Sequence, residues 1–245
     1  MNPLRTLATT RRVLQQLRHD PRTMILVIGV PILLMTILKF LFDGQPHIYQ
    51  MTAPLLLGIF PLFIMFLITS IATLRERTSG TLDRLMTQPI SKLDFVFGYA
   101  LAFSIVGLVQ AAIVTIYTLT VLDVSVAGGL GLVLVTSFFA AFLGTALGLF
   151  VSAFARNEFQ AVQLVMPILM PQVLLCGLFV PRDQMASGLE RISNLLPLTY
   201  SVDAMREVAQ HANWTADLTI NLLVVLAFGI GVLLLGTVTI RRQEK

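Results

Sequence analysis

Six apolar runs, each long enough to cross a lipid bilayer, dominate this sequence. A bilayer core about 30 Å thick is crossed by about 20 helical residues, so each run predicts one transmembrane helix. Hydrophobic residues make up 56% of the chain and charged residues 12%, whereas a soluble domain carries roughly 25% charged residues. The sequence therefore predicts an all-α integral membrane protein with a single transmembrane domain over residues 23–245. The predicted spans are residues 24–42, 54–74, 95–122, 128–154, 159–180 and 218–240.

The basic residues are distributed unequally between the two sides of these spans. Thirteen Lys and Arg residues fall in the N-terminal segment, in the loops after the second and fourth spans, or in the C-terminal tail, and three fall in the opposite loops. Because cytoplasmic loops carry an excess of Lys and Arg, both termini are predicted to be cytoplasmic. Lys39, near the end of the first span, is predicted to extend its amine to the outer surface.

The segment 1–22 predicts an amphipathic helix that precedes the first span. Its apolar positions recur near the helical period and are Leu4, Leu7, Leu14 and Leu17. A helix of this kind lies along the membrane surface, and the alternative is a solvated helix packed on a partner. Asp20 is predicted to cap the first span, with Pro21 at its first helical position.

The fourth span carries a stripe of small residues, one at every fourth position. Small side chains allow the backbones of two membrane helices to approach closely. The stripe therefore predicts a close helix contact. Its members are Ala140, Gly144, Gly148 and Ser152.

The chain lacks the residue patterns that would let it supply its own energy or catalyse a reaction. No GxxxxGK[ST], HExxH or GxSxG sequence is present. All thirteen Asp and Glu residues fall in loops or at span ends, whereas ion-coupled carriers usually bury a carboxylate near the bilayer midplane. The three histidines lie far apart outside the spans, and the single cysteine, Cys176, has no partner for an intrachain disulfide. Energy for any uphill transport must then come from elsewhere.

The segment 76–89, in the most basic internal loop, predicts a short amphipathic helix on the cytoplasmic side. Leu82, Leu85 and Met86 fall on one face, and Pro89 ends the helix. Ser91 and Asp94 then form a capping box that starts the third span. Such a helix could contact a cytoplasmic partner, and the alternative is a helix that only rests on the lipid headgroups.

The segment 181–213, on the opposite side, predicts two further short amphipathic helices. Pro197 separates them, and each is too short to cross the bilayer. They are predicted to be re-entrant helices that dip into the outer half of the membrane. A plain extracellular cap is the alternative.

Two motifs resemble those of a known family. Residues 76–85, ERTSGTLDRL, followed by Gln88 and Pro89, are similar to the stretch E-R-E-x-G-T-L-E-x-L…P that follows the second span in the membrane subunits of type-two ABC transporters. Thr78 replaces the usual acid of that stretch. The second motif resembles the family's P-x-x-Y-x-x-D-x-x-R and consists of Pro197, Tyr200, Asp203 and Arg206. The chain as a whole is most similar to the daunorubicin-resistance and lipo-oligosaccharide export branch.

The resemblance implies the partners of the chain. Two copies of a separate ABC ATPase would bind ATP and Mg²⁺, and this chain would bind no cofactor or metal itself. A second permease subunit, an identical copy, would complete the complex in a bacterial plasma membrane. The segment 76–89 would be the coupling helix that contacts the ATPase. The coupling residues would be Glu76, Arg77, Gly80, Thr81, Leu82, Asp83, Leu85 and Met86.

The resemblance also implies a substrate path between two membrane subunits, along the first, second and fifth spans. Flexible or polar side chains in these spans suit varied hydrophobic cargo, although ordinary core packing is the alternative for each of them. The candidate path residues are Met35, Thr36, Met65, Thr69, Met166, Met170 and Gln172.

The resulting hypothesis is the permease half of an ATP-driven exporter for a drug, a lipid or a glycolipid, without enzymatic activity of its own. One alternative is a secondary transporter or channel that works alone. Another is a membrane scaffold or sensor that transports nothing.

Overall fold

The computed structural model describes residues 3–79 and 91–239. These residues form nine α-helices and one short 3₁₀-helix, Arg182–Gln184, and no strand. The α-helices are α1 (Pro3–Arg18), α2 (Pro21–Leu41), α3 (Pro46–Thr78), α4 (Lys92–Thr120), α5 (Gly129–Ser152), α6 (Glu158–Leu175), α7 (Ser187–Ser193), α8 (Pro197–Gln210) and α9 (Ala216–Thr239).

Helices α2 to α6 and α9 are long and apolar enough to cross a membrane. The predicted all-α membrane fold with six spans is therefore confirmed. Helices α7 and α8 occupy the segment for which two short helices were predicted, and their insertion into the membrane stays a prediction.

Two helices cover different residues from the spans predicted for them. Helix α3 begins at Pro46 rather than at residue 54, because proline is well tolerated at the first position of a helix. Its 33 residues give a length of about 50 Å. Helix α6 ends at Leu175 rather than at residue 180. Gly177 has a φ of 85°, a left-handed conformation that ends the helix.

Helices α3 and α5 form the most extensive helix contact of the bundle. All four members of the small-residue stripe on α5 are buried. A Cβ atom added to Gly144 would overlap the carbonyl of Leu62, and one added to Gly148 would lie 2.6 Å from the carbonyl oxygen of Phe66. The predicted close contact is confirmed, because only glycine allows these two backbones to approach as they do.

A side chain of α5 also compensates for a proline inside α3. Pro61 has no N–H group and leaves the carbonyl of Leu57 without its usual helical partner. The Ser137 hydroxyl donates a hydrogen bond to that carbonyl over 3.3 Å. Helix α3 therefore continues past the proline with this polar group satisfied.

The predicted starts of α2 and α4 are confirmed. Asp20 accepts a hydrogen bond from the backbone N–H of Thr23 over 3.2 Å, with Pro21 as the first residue of α2. Both hydrogen bonds of the Ser91–Asp94 capping box are present at the start of α4.

Helix α1 packs on α4 through a face that the leucine pattern predicted only in part. Its buried residues are Thr6, Thr9, Thr10, Val13 and Leu17. Leu4 and Leu7 are exposed, whereas Leu14 packs against the core and Leu17 is buried, so half of the predicted apolar stripe points away from the bundle. Its placement on a membrane surface stays a prediction.

The bundle has two distinct ends. At one end, here called the basic end, α1 meets the C-terminal end of α3 and the start of α4. At the other end, the α8 end, the Lys39 amine donates to the carbonyl of Leu122 over 2.7 Å. Gln50 binds the same loop through Asp123 and Ser125. Lys39 thus reaches the end of the bundle away from α1, as its predicted outward position requires.

Candidate functional site at the C-terminal end of α3

The last turn of α3 carries three consecutive charged residues, and each contacts a different part of the bundle. Arg75, Glu76 and Arg77 directly precede the segment predicted to be the coupling helix. Successive residues of a helix point in directions about 100° apart. We call these three residues and their contacts the α3 junction.

Glu76 connects α3 to α1 and α4. Its two carboxylate oxygens accept hydrogen bonds from Arg12 Nη2 over 3.0 and 2.9 Å, and Gln16 donates to the same carboxylate over 3.2 Å. Arg12 Nη2 also donates to the Tyr99 hydroxyl of α4 over 2.6 Å. The Glu76 side chain is only 12% exposed, so water screens this ion pair less than it screens a surface pair.

Arg77 connects α3 to the end of α5. Its guanidinium donates to the carbonyl of Ala153 over 2.7 Å and to the carbonyl of Ala155. The last carbonyls of a helix lack intrahelical partners and carry partial negative charge. Arg77 therefore binds the carbonyl of the C-cap residue Ala153, at the end of α5, and that of Ala155, which follows the helix.

Arg75 connects α3 to the start of α6. Its guanidinium donates two hydrogen bonds to the carboxylate of Glu158, over 2.6 and 3.1 Å. Glu158 lies in the first turn of α6, where a negative charge is favourable. Both side chains are more than half exposed, so this pair contributes little to stability.

Close packing of α1 against α4 supports the Glu76 contact. The Thr10 hydroxyl donates to the Gly98 carbonyl over 3.1 Å. A Cβ atom at Gly98 would lie 2.7 Å from the Thr9 Cβ, so only glycine fits there.

Taken together, the contacts of Arg75, Glu76 and Arg77 join the end of α3 to four other helices, α1, α4, α5 and α6. A displacement of that end acts on all four.

The structure describes two of the eight predicted coupling residues, Glu76 and Arg77. Both belong to α3 rather than to a separate helix, and both bind other parts of the same chain. Their contact with an ATPase stays a prediction. Gly80, Thr81, Leu82, Asp83, Leu85 and Met86 lie outside the described residues.

The candidate path residues do not form one continuous surface within this chain. Met166 and Met170 are exposed on α6, and Thr36 is half-buried with its hydroxyl 2.8 Å from that of Tyr117. The other candidates are buried between helices and are Met35, Met65, Thr69 and Gln172. Their role in a path stays a prediction.

The second motif forms an ion-pair cluster at the α8 end. Asp203 of α8 lies 2.5 Å from Arg182 and 2.6 Å from Arg206. Arg206 also donates to the carbonyl of Gly177 over 2.8 Å. We call Arg182, Asp203 and Arg206 the Asp203 cluster. It holds α8 against the chain segment that follows α6.

The other two residues of this motif shape the start of α8. Pro197 is the first residue of α8, and the Tyr200 hydroxyl donates to the carbonyl of Asn194 over 2.7 Å. Sequence reasoning missed Arg182, although its position just beyond the predicted fifth span was an available signal.

Asp203→Asn is expected to weaken the attachment of α8 to the segment that follows α6 and to lower the stability of the protein. The substitution removes one negative charge that two guanidinium groups share, and leaves Arg182 and Arg206 to repel each other. Because the Asp203 side chain is only 11% exposed, we expect a loss of about 1–3 kcal/mol in the free energy of unfolding. Thermal unfolding in detergent measures the loss. Asp183→Asn, at an exposed neighbouring carboxylate, is the control, and an equal effect of both substitutions would contradict the assignment.

Cys176 is expected to resist thiol reagents in the folded protein. It is fully buried, and burial raises the pKa of its thiol to about 11. Little of the thiol is then ionised at pH 8, and the thiolate is the form that reacts. Maleimide labelling should be absent in mild detergent and complete after denaturation. Rapid labelling of the folded chain would show that the packing around Cys176 is different.

Residues 5–209 match the ABC-2 type transporter family. Together with the six apolar helices, this match defines the class of the protein as a membrane permease of the ABC transporters. The chain belongs to the ABC-2 type transporter family. The resemblance to type-two ABC membrane subunits is thus confirmed.

Several named relatives support this assignment. ABC transporter G family member 20 of Dictyostelium discoideum is 27% identical over 73% of this chain and 25% of that protein. The probable multidrug ABC transporter permease YbhR of Escherichia coli is 27% identical over 63% of this chain and 42% of that protein. The putative transport permease ycf38 of Cyanophora paradoxa is 24% identical over 90% of this chain and 79% of that protein. The chain thus spans less than half the length of the first two.

Proposed function

We propose that the chain is the permease subunit of an ATP-driven exporter. It would move a hydrophobic or amphipathic molecule, such as a drug, a lipid or a glycolipid, out of a bacterial cell. Two copies of the chain would form the membrane part, and two separate ABC ATPase subunits would supply the energy. Relatives named as multidrug permeases support this choice of cargo class.

The α3 junction is the observation that carries the proposal. It lies directly before the segment 80–89, which completes the motif that resembles the family's coupling helix. Force that an ATPase applies to this segment would arrive first at Arg75, Glu76 and Arg77. From there it would act on α1 and α4 through Arg12, on α5 through Arg77 and on α6 through Arg75.

The proposed mechanism is a change in the relative positions of these helices during ATP hydrolysis. Ion pairs and packed side chains with two alternative arrangements can carry such a coupling. The basic end would face the cytoplasm, as the distribution of Lys and Arg predicts. The substrate would then pass between the two permease copies toward the α8 end.

Leu82→Asp and Leu85→Asp test the contact with the ATPase. Each variant is co-expressed with the companion ATPase and purified through a tag on the permease. We expect normal membrane insertion, but loss of ATPase binding and of ATP-driven transport. Leu195→Asp, at an exposed leucine near the α8 end, is the matched control and should keep both activities.

Two outcomes would overturn the proposal. One is export by the Leu82→Asp variant at the rate of the unsubstituted protein. The other is transport by the purified chain alone in liposomes, driven by an ion gradient, which would support a secondary transporter. Orientation is checked separately with a membrane-impermeant maleimide on Ser79→Cys and Ser187→Cys, at exposed positions near opposite ends of the bundle.

A further inference from the structure

A groove of about 930 Å³ lies at the basic end, between α2 and α3. Helices α1 and α4 form its other walls, the latter through Tyr99 and Phe103. Helix α2 packs against both α4 and α3, and the groove occupies the space between α2 and α3. Leu26 on the α2 wall is 61% exposed, so the groove is accessible from the lipid side of the bundle.

The polarity of the groove changes along its length. Its lining on α3 runs from Phe63 to Ser79, a distance of about 24 Å along the helix. From Phe63 to Ala72, all α3 residues that line it are apolar. This apolar part is about 14 Å long, close to half of a 30 Å bilayer core.

The remaining part of the groove is polar and charged. Asp20 and Gln16 line it on the α1–α2 side, and Arg75, Glu76 and Thr78 line it on α3. Both signs of charge are therefore present within one turn of helix. This end lies beyond the apolar stretch of α3, where the headgroups of a bilayer that surrounds this stretch would begin.

An amphiphile of the membrane matches this arrangement in length and polarity. Its hydrocarbon chain would lie along α3 between Phe63 and Ala72, and its polar head would reach Asp20 and Arg75. Ligand sites are mostly apolar with a few polar groups that fix orientation, and pockets of about 300–1,000 Å³ hold small molecules. The groove has both properties.

We propose that this groove is the loading site for a cargo with a hydrocarbon chain and a polar head, taken from the cytoplasmic leaflet. The inference rests on the proposed exporter function and orientation, and adds to them the chemical class of the cargo and its first binding site. Cargo bound here would contact Arg75 and Glu76 of the α3 junction. Occupancy of the groove would then change the surroundings of Arg75 and Glu76, next to the segment on which the ATPase is proposed to act.

Photolabelling tests the groove without any ATPase. The full chain is reconstituted in phosphatidylcholine vesicles that contain phosphatidylcholine with a diazirine at the end of one acyl chain. We expect adducts to concentrate on residues 63–72 relative to the exposed face of α9. Ala72→Trp should reduce these adducts about tenfold, equivalent to about 1.4 kcal/mol. Ala227→Trp, at an exposed alanine of α9, should leave them unchanged.

Two results, one from this labelling and one from a separate cross-linking experiment, would overturn the proposal. One is equal labelling of the groove and of the α9 face. The other is an Ile71→Cys cross-link between two copies of the chain, which would show that a second subunit fills the groove. If Ala72→Trp fails to fold, the ratio of adducts on residues 63–72 to those on the α9 face of the unsubstituted chain still tests the proposal.

Transport by the complex with its ATPase then distinguishes cargo from a resident lipid. Loss of transport of the labelled lipid in Ala72→Trp, with ATPase binding intact, supports the loading role. Unchanged transport, despite lost labelling, would show a structural lipid only and would overturn that role. The proposed exporter function fails separately, if the Leu82→Asp variant keeps its coupling to the ATPase.

Discussion

Glu76→Gln is expected to lower ATP-driven transport by about tenfold or more while the chain still inserts into the membrane. The substitution keeps the shape of the side chain but removes the charge that Arg12 and Gln16 bind. Arg12 then remains half-buried without its anionic partner, which costs about 1–3 kcal/mol of stability for a pair that is partly shielded from water. Transport in vesicles and thermal unfolding in detergent measure the two effects.

Glu158→Gln is the matched control for this prediction. Its pair with Arg75 has a similar geometry but is more than half exposed, so its loss should cost about 0–1 kcal/mol. Exchange of the two charges, in Arg12→Glu combined with Glu76→Arg, should restore part of the transport that either single substitution removes. If Glu158→Gln and Glu76→Gln reduced transport equally, burial of the Glu76 pair would not explain its importance.

Gly144→Ala is expected to destabilise the bundle by about 3 kcal/mol, or to prevent recovery of folded protein. The added methyl group would overlap the carbonyl of Leu62. A backbone atom cannot turn aside as a side chain can, so α3 and α5 would have to separate. The thermal midpoint in detergent and the yield of monodisperse protein measure the effect.

Gly131→Ala makes the same chemical change on the same helix, where nothing lies within 4 Å of the new Cβ atom. It should be neutral or should stabilise the protein by up to about 1 kcal/mol, because alanine favours the helix over glycine. A loss of stability in Gly131→Ala as large as that in Gly144→Ala would attribute the effect to helix propensity and not to the contact with α3.

The sequence was sufficient to predict the six spans, because a bilayer requires long apolar helices. Local hydrogen bonds were also predictable, such as the caps at Asp20 and at Ser91, since both partners lie within three residues of each other. The ends of α3 and α6 were not. Helix α3 begins with a proline eight residues before the predicted span, and α6 ends before the left-handed Gly177, five residues before the end of its predicted span.

The contacts that make up the candidate site could not be predicted from sequence periodicity. Arg12 and Glu76 are 64 residues apart, and Arg75 and Glu158 are 83 residues apart. Pairs of this kind depend on which helix faces are adjacent, and a hydropathy pattern does not contain that information. The buried face of α1 was predicted only in part for the same reason, since three threonines and Val13 form it together with Leu17.

The length of α3 has a mechanical consequence. About 50 Å of continuous helix is about 20 Å more than the hydrocarbon layer requires, and Gln50 near its first turn binds the α4–α5 loop while Glu76 near its last turn binds α1. A single continuous helix thus makes polar contacts near both ends of the bundle. Tilting it about the tight crossing at Gly144 would move its two ends in opposite directions, so closure on one surface would accompany opening on the other.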